Sequence, residues 1–337
     1  MKKKIAIICT TSLSINAFWL DHLEKLSKFY DIDIITKDTN QIKLIKNVNM
    51  IELNFSRRID FINDCLCLFR LLKYLIKNKY DITLSFSPKA GLLTAITSFL
   101  LRTKIRIHYF TGQLWINKFF TYQIIFKNID RTISFLSTNI LVDSHSQRNY
   151  LIQNKITTEL KSKVLGNGSI SGVDMTKFQF KKNDQLLIRQ RNQIKLNDFV
   201  ILYLGRINKD KGVLLLLEAI KLLSKDLQSL TLMLVGEIED LSLNQIGFYK
   251  KYINLKIVKF TNTPEKYLNS CDLLCLPSYR EGFGKVVIEA ASCGKFSLVS
   301  NIYGLKDSFI KNLTGISFDI NDQKSLINKI KYCYINR

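Results

Sequence analysis

What most constrains this chain is an alternation of short apolar runs with helix-period segments that lapses once and then starts again. Lys3 to Cys9, Asp31 to Thr36, Tyr80 to Phe86, Lys104 to Phe110 and Ile140 to Asp143 read as strands. The spacing of apolar residues predicts helices around Phe18 to Phe29, Ile59 to Asn78, Ala90 to Leu101, Asn117 to Leu136 and Gln147 to Asn154. After the glycine-rich run Gly166-Asn-Gly-Ser-Ile-Ser-Gly172 and a charged helical stretch to about Asn197, strands recur at Phe199 to Gly205, Leu230 to Gly236, Lys256 to Phe260, Asp272 to Pro277 and Phe296 to Ser300. Strand followed by helix, repeated, gives a mostly parallel sheet covered on both faces. The expected organisation is an N-terminal doubly wound domain over residues 1–165, a hinge and linker over 166–198, and a second doubly wound domain over 199–337. Ligands of open α/β sheets bind beyond the carboxyl ends of the strands, so the site is expected in a deep cleft that the two domains face.

Charge narrows the partners without choosing one. The chain carries 50 Lys and Arg against 28 Asp and Glu, a net charge of +22, and both halves are basic. Such a field attracts nucleic acid, an anionic membrane surface or phosphorylated substrates. A nucleic-acid-binding protein is one reading of it, but no helix-turn-helix, finger or aromatic-basic RNA pattern accompanies the charge, and no nucleic acid is expected as partner. Seven cysteines sit mostly inside apolar runs without partners at zinc spacing. They are expected as buried, reduced thiols, which suits the cytoplasm.

Met1-Lys-Lys-Lys followed by Ile5 to Cys9 imitates the start of a signal peptide, but Thr10, Thr11, Ser12, Ser14 and Asn16 break the apolar run and no small-residue cleavage site follows. The longest apolar stretch, Gly91 to Leu101, is too short to span a bilayer. Neither a leader nor a spanning helix is expected. Phe55 to Lys79 mixes Arg57, Arg58, Arg70, Lys73, Lys77 and Lys79 with aromatic and aliphatic residues, and Asn117 to Phe135 does the same around Phe119, Phe120, Tyr122, Phe126 and Lys127. Basic amphipathic helices of this kind either lie on an anionic surface or turn a lysine-rich side to water.

Two constellations carry chemistry. Leu204-Gly-Arg-Ile-Asn-Lys-Asp-Lys-Gly212 follows a strand and precedes the helix Val213 to Leu223. Arg206 offers a planar fork of donors and Lys211 a point charge, a pair suited to a diphosphate, although two solvated cations on a basic protein would look the same. The second is Pro277-Ser-Tyr-Arg-Glu-Gly-Phe-Gly-Lys-Val-Val-Ile-Glu289. Gly282 and Gly284 let backbone amides approach a ligand, and the helix beginning at Lys285 presents an N-terminus to phosphate oxygens. Glu281 in the loop and Glu289 inside the helix supply acceptors for hydroxyl-rich sugars.

The pattern Gly205-Arg206 with Lys211-Gly212, then Glu281 and Glu289 as Glu-x7-Glu, resembles the family 4 retaining glycosyltransferases of the GT-B architecture, built from two Rossmann-like domains. Asp272, the Pro277 to Gly282 run, Gly294, Gly304 and Thr314-Gly315 extend the resemblance over the C-terminal half. It implies that Arg206 and Lys211 bind the donor diphosphate and stabilise the leaving group. It implies too that Glu281 contacts the donor sugar and Glu289 the ribose, with Gly282, Phe283, Gly284 and Lys285 assisting and Thr261 near the base.

The N-terminal half resembles a subgroup that builds capsules, O-antigens and lipid-linked oligosaccharides, through Thr10-Thr-Ser12, Phe18 to Leu26, Ile107-His-Tyr-Phe-Thr-Gly-Gln-Leu-Trp115, Asp143-Ser-His-Ser-Gln-Arg148 and Leu165 to Asp174. Ser12, Asn16, Thr111 and Gly112 become candidates for the acceptor side. Family members often carry histidine where Thr111 stands, and His108 is the nearby catalytic candidate. The helix that crosses back to the first domain at the C-terminus is expected to be absent or abbreviated.

The implied function is retaining transfer of a hexose or N-acetylhexosamine from a nucleotide sugar, UDP-linked, to a polyprenyl-diphosphate-linked saccharide. It needs neither metal nor other cofactor and takes place at the inner face of the cytoplasmic membrane with the protein attached peripherally. A sugar-nucleotide epimerase of the same architecture is the alternative.

Overall fold

The structure, a computed structural model, describes residues 2–56, 60–116 and 118–337. The chain forms two compact units, Met1–Ser171 and Gly172–Arg337.

The first unit holds β1 (Lys3–Ile8), β2 (Tyr30–Thr36), β3 (Val48–Glu52), β4 (Ile82–Phe86), β5 (Ile105–Phe110), β6 (Asn139–Val142) and β7 (Ser162–Val164). They make one parallel sheet in the order β3-β2-β1-β4-β5-β6-β7. Successive side chains of a strand point to opposite faces. Ile5 and Ile7 accordingly join a core with Trp19 and Leu23, while Ala6 and Ile8 join another with Leu71, Leu75 and Ala90. A third cluster, around Trp115, Ile133, Ile140 and Leu151, lies beside β6.

The second unit holds β8 (Phe199–Leu204), β9 (Leu230–Val235), β10 (Asn254–Val258), β11 (Leu273–Leu276), β12 (Phe296–Ser300) and β13 (Gly315–Phe318). These pair in parallel in the order β10-β9-β8-β11-β12-β13, and both faces of the sheet share one continuous core. Each unit thus has the doubly wound order in which the direction of winding reverses once, between β1 and β4 and between β8 and β11. The helix Val213–Leu223 buries Val213, Leu216, Leu217, Ala219, Ile220 and Leu223, the apolar stripe its sequence predicts.

Several local expectations change. The helix expected around Phe18 to Phe29 is two, Ser12–Phe18 and Leu20–Leu26, separated at Trp19, whose ring stacks on Phe86 in the core. β3, β7 and β13 carry no strand pattern that the sequence reading recognised, and all three are edge strands of three to five residues. An edge strand pairs on one side only and can be short, so its sequence signal is weak.

The helix expected from Ile59 spans Phe61–Asn78, and that expected from Asn117 spans Phe120–Leu136. Arg57, Arg58, Ile59 and Asn117 lie outside the described residues. Within the stretch 166–198, the boundary between units falls after Ser171, and the helix Lys182–Arg191 belongs to the second unit. Arg189 is buried there, donating to Asp272 Oδ2 at 2.8 Å and to the carbonyls of Ser270 and Asp198 at 3.0 Å.

All seven cysteines are free and six are buried, and burial pushes the thiols of Cys9 and Cys271 up to about 12. Among the described residues, no helix is long and apolar enough to cross a membrane.

Candidate active site

The loops that leave β8 and β11 at their carboxyl ends, residues 205–212 and 277–284, emerge where the strand order reverses, the position at which such sheets bind ligands. The two loops are locked together by backbone. Gly212 has φ +68°, and a Cβ placed on it would stand 1.9 Å from the Pro277 carbonyl oxygen. The Tyr279 amide donates to the Asp210 carbonyl at 3.0 Å, and Arg280 pairs with the Asp210 carboxylate at 3.2 Å. From the other side Gly304 packs so closely that a Cβ would come within 2.0 Å of the Glu281 carbonyl. Glycine at both positions is what lets the Glu281 loop sit where it does.

This locking brings together two of the residues singled out from sequence. Lys211 Nζ meets Glu281 Oε1 at 2.5 Å, with both side chains largely buried. Ser278 Oγ donates to the same Glu281 oxygen at 2.7 Å. The backbone of Lys211 is held by Asn208, whose Oδ1 accepts the Lys211 amide at 3.0 Å. Arg206 is more open, with 57% of its side chain exposed, and its Nη1 donates to both carboxylate oxygens of Glu239 at 3.0 Å. Glu239 Oε2 also accepts from Asn208 Nδ2 at 2.8 Å. Beneath them Tyr203 donates its hydroxyl to the Arg206 carbonyl at 2.5 Å, and burial raises its phenol well above the usual range.

The helix Lys285–Ser292 starts directly after Gly284. Glu289, one turn in, is buried and pairs with Lys285 at 3.3 Å. Burial raises its carboxyl above the ordinary range, and Lys285 opposes that rise. Phe283 and Gly284 are buried, while Gly282 and Lys285 are partly accessible. Thr261 follows β10 at the sheet edge, two strands from β8, where its Oγ1 accepts the Thr263 amide at 3.1 Å.

The candidates of the first unit fall into separate places. Ser12 and Asn16 meet at Gln41: Ser12 Oγ donates to Gln41 Oε1 at 3.4 Å and Asn16 Nδ2 to the Gln41 carbonyl at 2.8 Å. Thr111 and Gly112 follow β5, two strands away from β1, and are partly exposed. His108 is buried on β5, with Nδ1 2.9 Å from Ser85 Oγ. Its ring lies against Gly91, where a Cβ would come within 2.4 Å of it, and burial lowers its pKa to about 3.

Sequence reasoning missed Glu239, Asn208 and Ser278. Each lies in a loop past a strand end, the one signal that could have found them, but what each side chain touches depends on which strands are neighbours. Among the described residues, no group of three or more His, Cys, Asp or Glu side chains is placed to hold a metal.

Residues 184–337 match the family described as glycosyl transferases group 1. The second unit thus carries a group 1 glycosyltransferase domain. Along nearly its whole length this glycosyltransferase is similar to the capsular polysaccharide biosynthesis glycosyltransferase CapM of Staphylococcus aureus, 29% identical over 336 residues, which cover 98% of this chain and 87% of CapM. It is also 28% identical over 315 residues to the UDP-Gal:alpha-D-GlcNAc-diphosphoundecaprenol alpha-1,3-galactosyltransferase of Escherichia coli, covering 89% of this chain and 79% of that one.

Solved structures share the fold. Sucrose-phosphate synthase from Thermosynechococcus elongatus superposes with a TM-score of 0.80 at 18% identity, covering 99% of this chain and 90% of the other. Anabaena Alr3699/HepE in complex with UDP-glucose gives 0.74 at 17% identity, covering 98% and 89%. Two doubly wound sheets of this order are the GT-B architecture. In this glycosyltransferase the matched segment contains Arg206, Lys211, Glu281 and Glu289 together.

Proposed function

We propose that this glycosyltransferase moves a hexose or N-acetylhexosamine from a UDP-sugar onto a lipid-linked saccharide, with retention, in the assembly of a bacterial O-antigen or capsule. The observation that carries the reading is the Lys211–Glu281–Ser278 cluster at the reversal of the sheet, beside the start of the helix Lys285–Ser292. A departing nucleoside diphosphate develops negative charge, which Lys211, Arg206 and the helix N-terminus offset without a metal.

When the diphosphate draws Lys211 away, the Glu281 oxygen it held becomes an acceptor for a hydroxyl of the donor sugar. Arg206 turns from Glu239 to the phosphates in the same way. Glu289 accepts the ribose hydroxyls, amides at Gly282 to Lys285 approach sugar and phosphate, and Thr261 borders the base. Retention needs no protein nucleophile if the leaving diphosphate and the incoming hydroxyl share one face of the sugar. Ser12, Asn16, Thr111 and Gly112 serve the acceptor side.

The name of the Escherichia protein supports the choice of UDP and of a lipid-linked acceptor, the UDP-glucose of the Anabaena complex supports UDP, and the name of the Staphylococcus protein supports capsule assembly. Peripheral attachment at the inner face of the cytoplasmic membrane belongs to the same reading. Its support is the helix Phe61–Asn78, which leaves Phe61, Ile62, Leu66, Phe69 and Ile76 exposed beside Arg70, Lys73 and Lys77. Phe119, Phe120, Ile124, Ile125 and Phe135, at and along the helix Phe120–Leu136, are exposed as well. Apolar side chains interleaved with cations suit an anionic lipid surface.

Thermal melting with a panel of UDP-, GDP- and dTDP-sugars tests the donor. A UDP-sugar is expected to raise the melting temperature. No response to any nucleotide sugar would overturn the reading, and release of free epimerised nucleotide sugar without an acceptor would replace transfer with epimerisation.

A further inference from the structure

Close to Glu289 lies a second ion pair, which the donor site described above does not use. The chain enters the second unit at Gly172, and Asp174 ties its first turn. Asp174 Oδ1 accepts the Thr176 hydroxyl at 2.6 Å and the amides of Thr176 and Lys177 at 2.9 and 3.2 Å. Phe178 is buried in the core of the unit. Its carbonyl accepts Ser292 Oγ at 2.5 Å, and the Gln179 carbonyl accepts Asn269 Nδ2 at 3.2 Å. Residues 174–179 therefore form a strap fixed to two helices, Pro264–Ser270 and Lys285–Ser292.

The strap carries a cation to a buried carboxylate. Lys177 Nζ lies 3.6 Å from Glu265 Oε2. Glu265 sits in the first turn of the helix Pro264–Ser270, just past Thr261 in the chain, and is buried. Its Oε2 accepts no hydrogen bond among the described residues. A buried ion pair with so few hydrogen bonds contributes less to a fold than apolar packing of the same volume. Stability alone does not account for this pair, and its charges reach Glu289. Burial raises the Glu289 carboxyl; Lys285 and then Lys177 lower it, and Glu265 raises it. Further along the same helix Cys293 stays a neutral thiol, pushed up to about 11 by burial, against Lys295 and together with Glu289, Glu265 and Asp184. Lys285 acts on Glu289 from its own helix, and Lys177 is the one cation brought to it from elsewhere in the chain.

We propose that Lys177 and Glu265 are positioning residues of the donor site, a strapped ion pair that sets the charge of Glu289 and so its capacity to accept the ribose hydroxyls. An ionised carboxylate accepts from two neighbouring hydroxyls, whereas a protonated one turns an oxygen into a donor. Lys177 keeps Glu289 in the accepting form, and Glu265 holds Lys177 in place. This role rests on the donor reading above.

The test titrates UDP and inorganic pyrophosphate into the full chain by calorimetry from about pH 5 to about pH 8, each variant compared with the wild type at the same pH. Pyrophosphate presents the diphosphate without the ribose. Lys177 is exposed, so replacing it leaves the core alone. Lys177→Met should move the loss of UDP binding to higher pH and weaken UDP about three- to thirtyfold near pH 6, the effect of removing a cation close to a carboxylate, with pyrophosphate changed less than about twofold. Lys177→Arg should keep the wild-type profile. Glu265→Gln, which preserves the shape of the side chain, should move the loss to lower pH. Lys177→Met combined with Glu265→Gln removes both opposing charges and should return the profile toward the wild type, which a merely structural role would not do.

Thermal melting checks that each variant is folded. A Lys177→Met profile that superimposes on the wild type, equal weakening of UDP and pyrophosphate, or a double variant no better than Lys177→Met would overturn the proposal while the donor reading stands. A wild type that does not bind UDP would overturn both.

Discussion

The two units share one strand order but are built differently. The second gathers its buried apolar side chains into a single core around its sheet, whereas the first divides them among three clusters and leaves aromatic and aliphatic residues of two helices in the open. Its helix Phe61–Asn78 needs only Cys67, Leu71 and Leu75 to pack inward, yet carries apolar residues on the remaining faces too. An amphipathic helix of a water-surrounded domain needs one apolar stripe. The surplus is exposed and is what the proposed lipid contact would cover, while the second unit holds a charged site between backbone-locked loops. On the proposed function, the comparison sets a backbone-locked donor side against a lipid-facing acceptor side.

That contrast can be broken most sharply at Lys211. Lys211→Ala should lower transfer by about 10- to 1,000-fold, the range for losing one charged contact to a developing anion, with folding intact. Glu289→Ala should weaken donor binding or turnover at least about tenfold, because the ribose hydroxyls lose an ionic acceptor. Normal kinetics in both variants would leave the second unit without its assigned role. Gly212→Ala tests the lock itself: a Cβ 1.9 Å from the Pro277 oxygen, at φ +68°, should destabilise the second unit by about 2 to 4 kcal/mol, read by denaturant unfolding. A neutral result would mean that the loops are not held as described.

The first unit should differ in its response to pH. Burial pushes the carboxyls of Asp130 and Asp143 up to about 7, from an ordinary 3.8. The folded state therefore holds these protons more tightly than the unfolded chain, and stability falls as pH rises from about 4 through about 7, levelling off above. Hydrogen exchange of the first unit should show that loss, and Asp130→Asn or Asp143→Asn should flatten it. The smallest effect is expected for membrane contact: replacing Phe69 or Phe120 singly by Ser should lower binding to anionic vesicles several-fold without altering UDP binding, since each apolar side chain contributes about 1.5 to 3 kcal/mol when fully buried and less at an interface. Unchanged vesicle binding in both variants would remove the lipid-facing side of the comparison.

How much of this could be read from sequence follows the same division. Gly205 to Gly212 and Pro277 to Glu289 are local in the chain, each a strand end, glycines and charges within a dozen residues, so their chemistry was legible before any contact was known. The Lys211–Glu281 pair was not, because it exists only when β8 and β11 are neighbours. Glu239 is hidden for the same reason: nothing near it in sequence says that it will face Arg206. In the first unit the strands at the centre of the sheet were legible by their apolar runs, while β3 and β7 at its edges were not. A cavity by Asp38 in the first unit was out of reach, since it collects residues from six separate stretches between Thr11 and Asn63.

The central claim is that Lys211 and Glu281 form the donor site of a nucleotide-sugar-dependent transferase. Calorimetric titration of UDP into the wild type, Lys211→Ala and Asp38→Asn tests it most directly. Saturable binding by the wild type, weakened at least about tenfold by Lys211→Ala and untouched by Asp38→Asn, is the predicted result. Equal UDP binding by the wild type and a folded Lys211→Ala would contradict it.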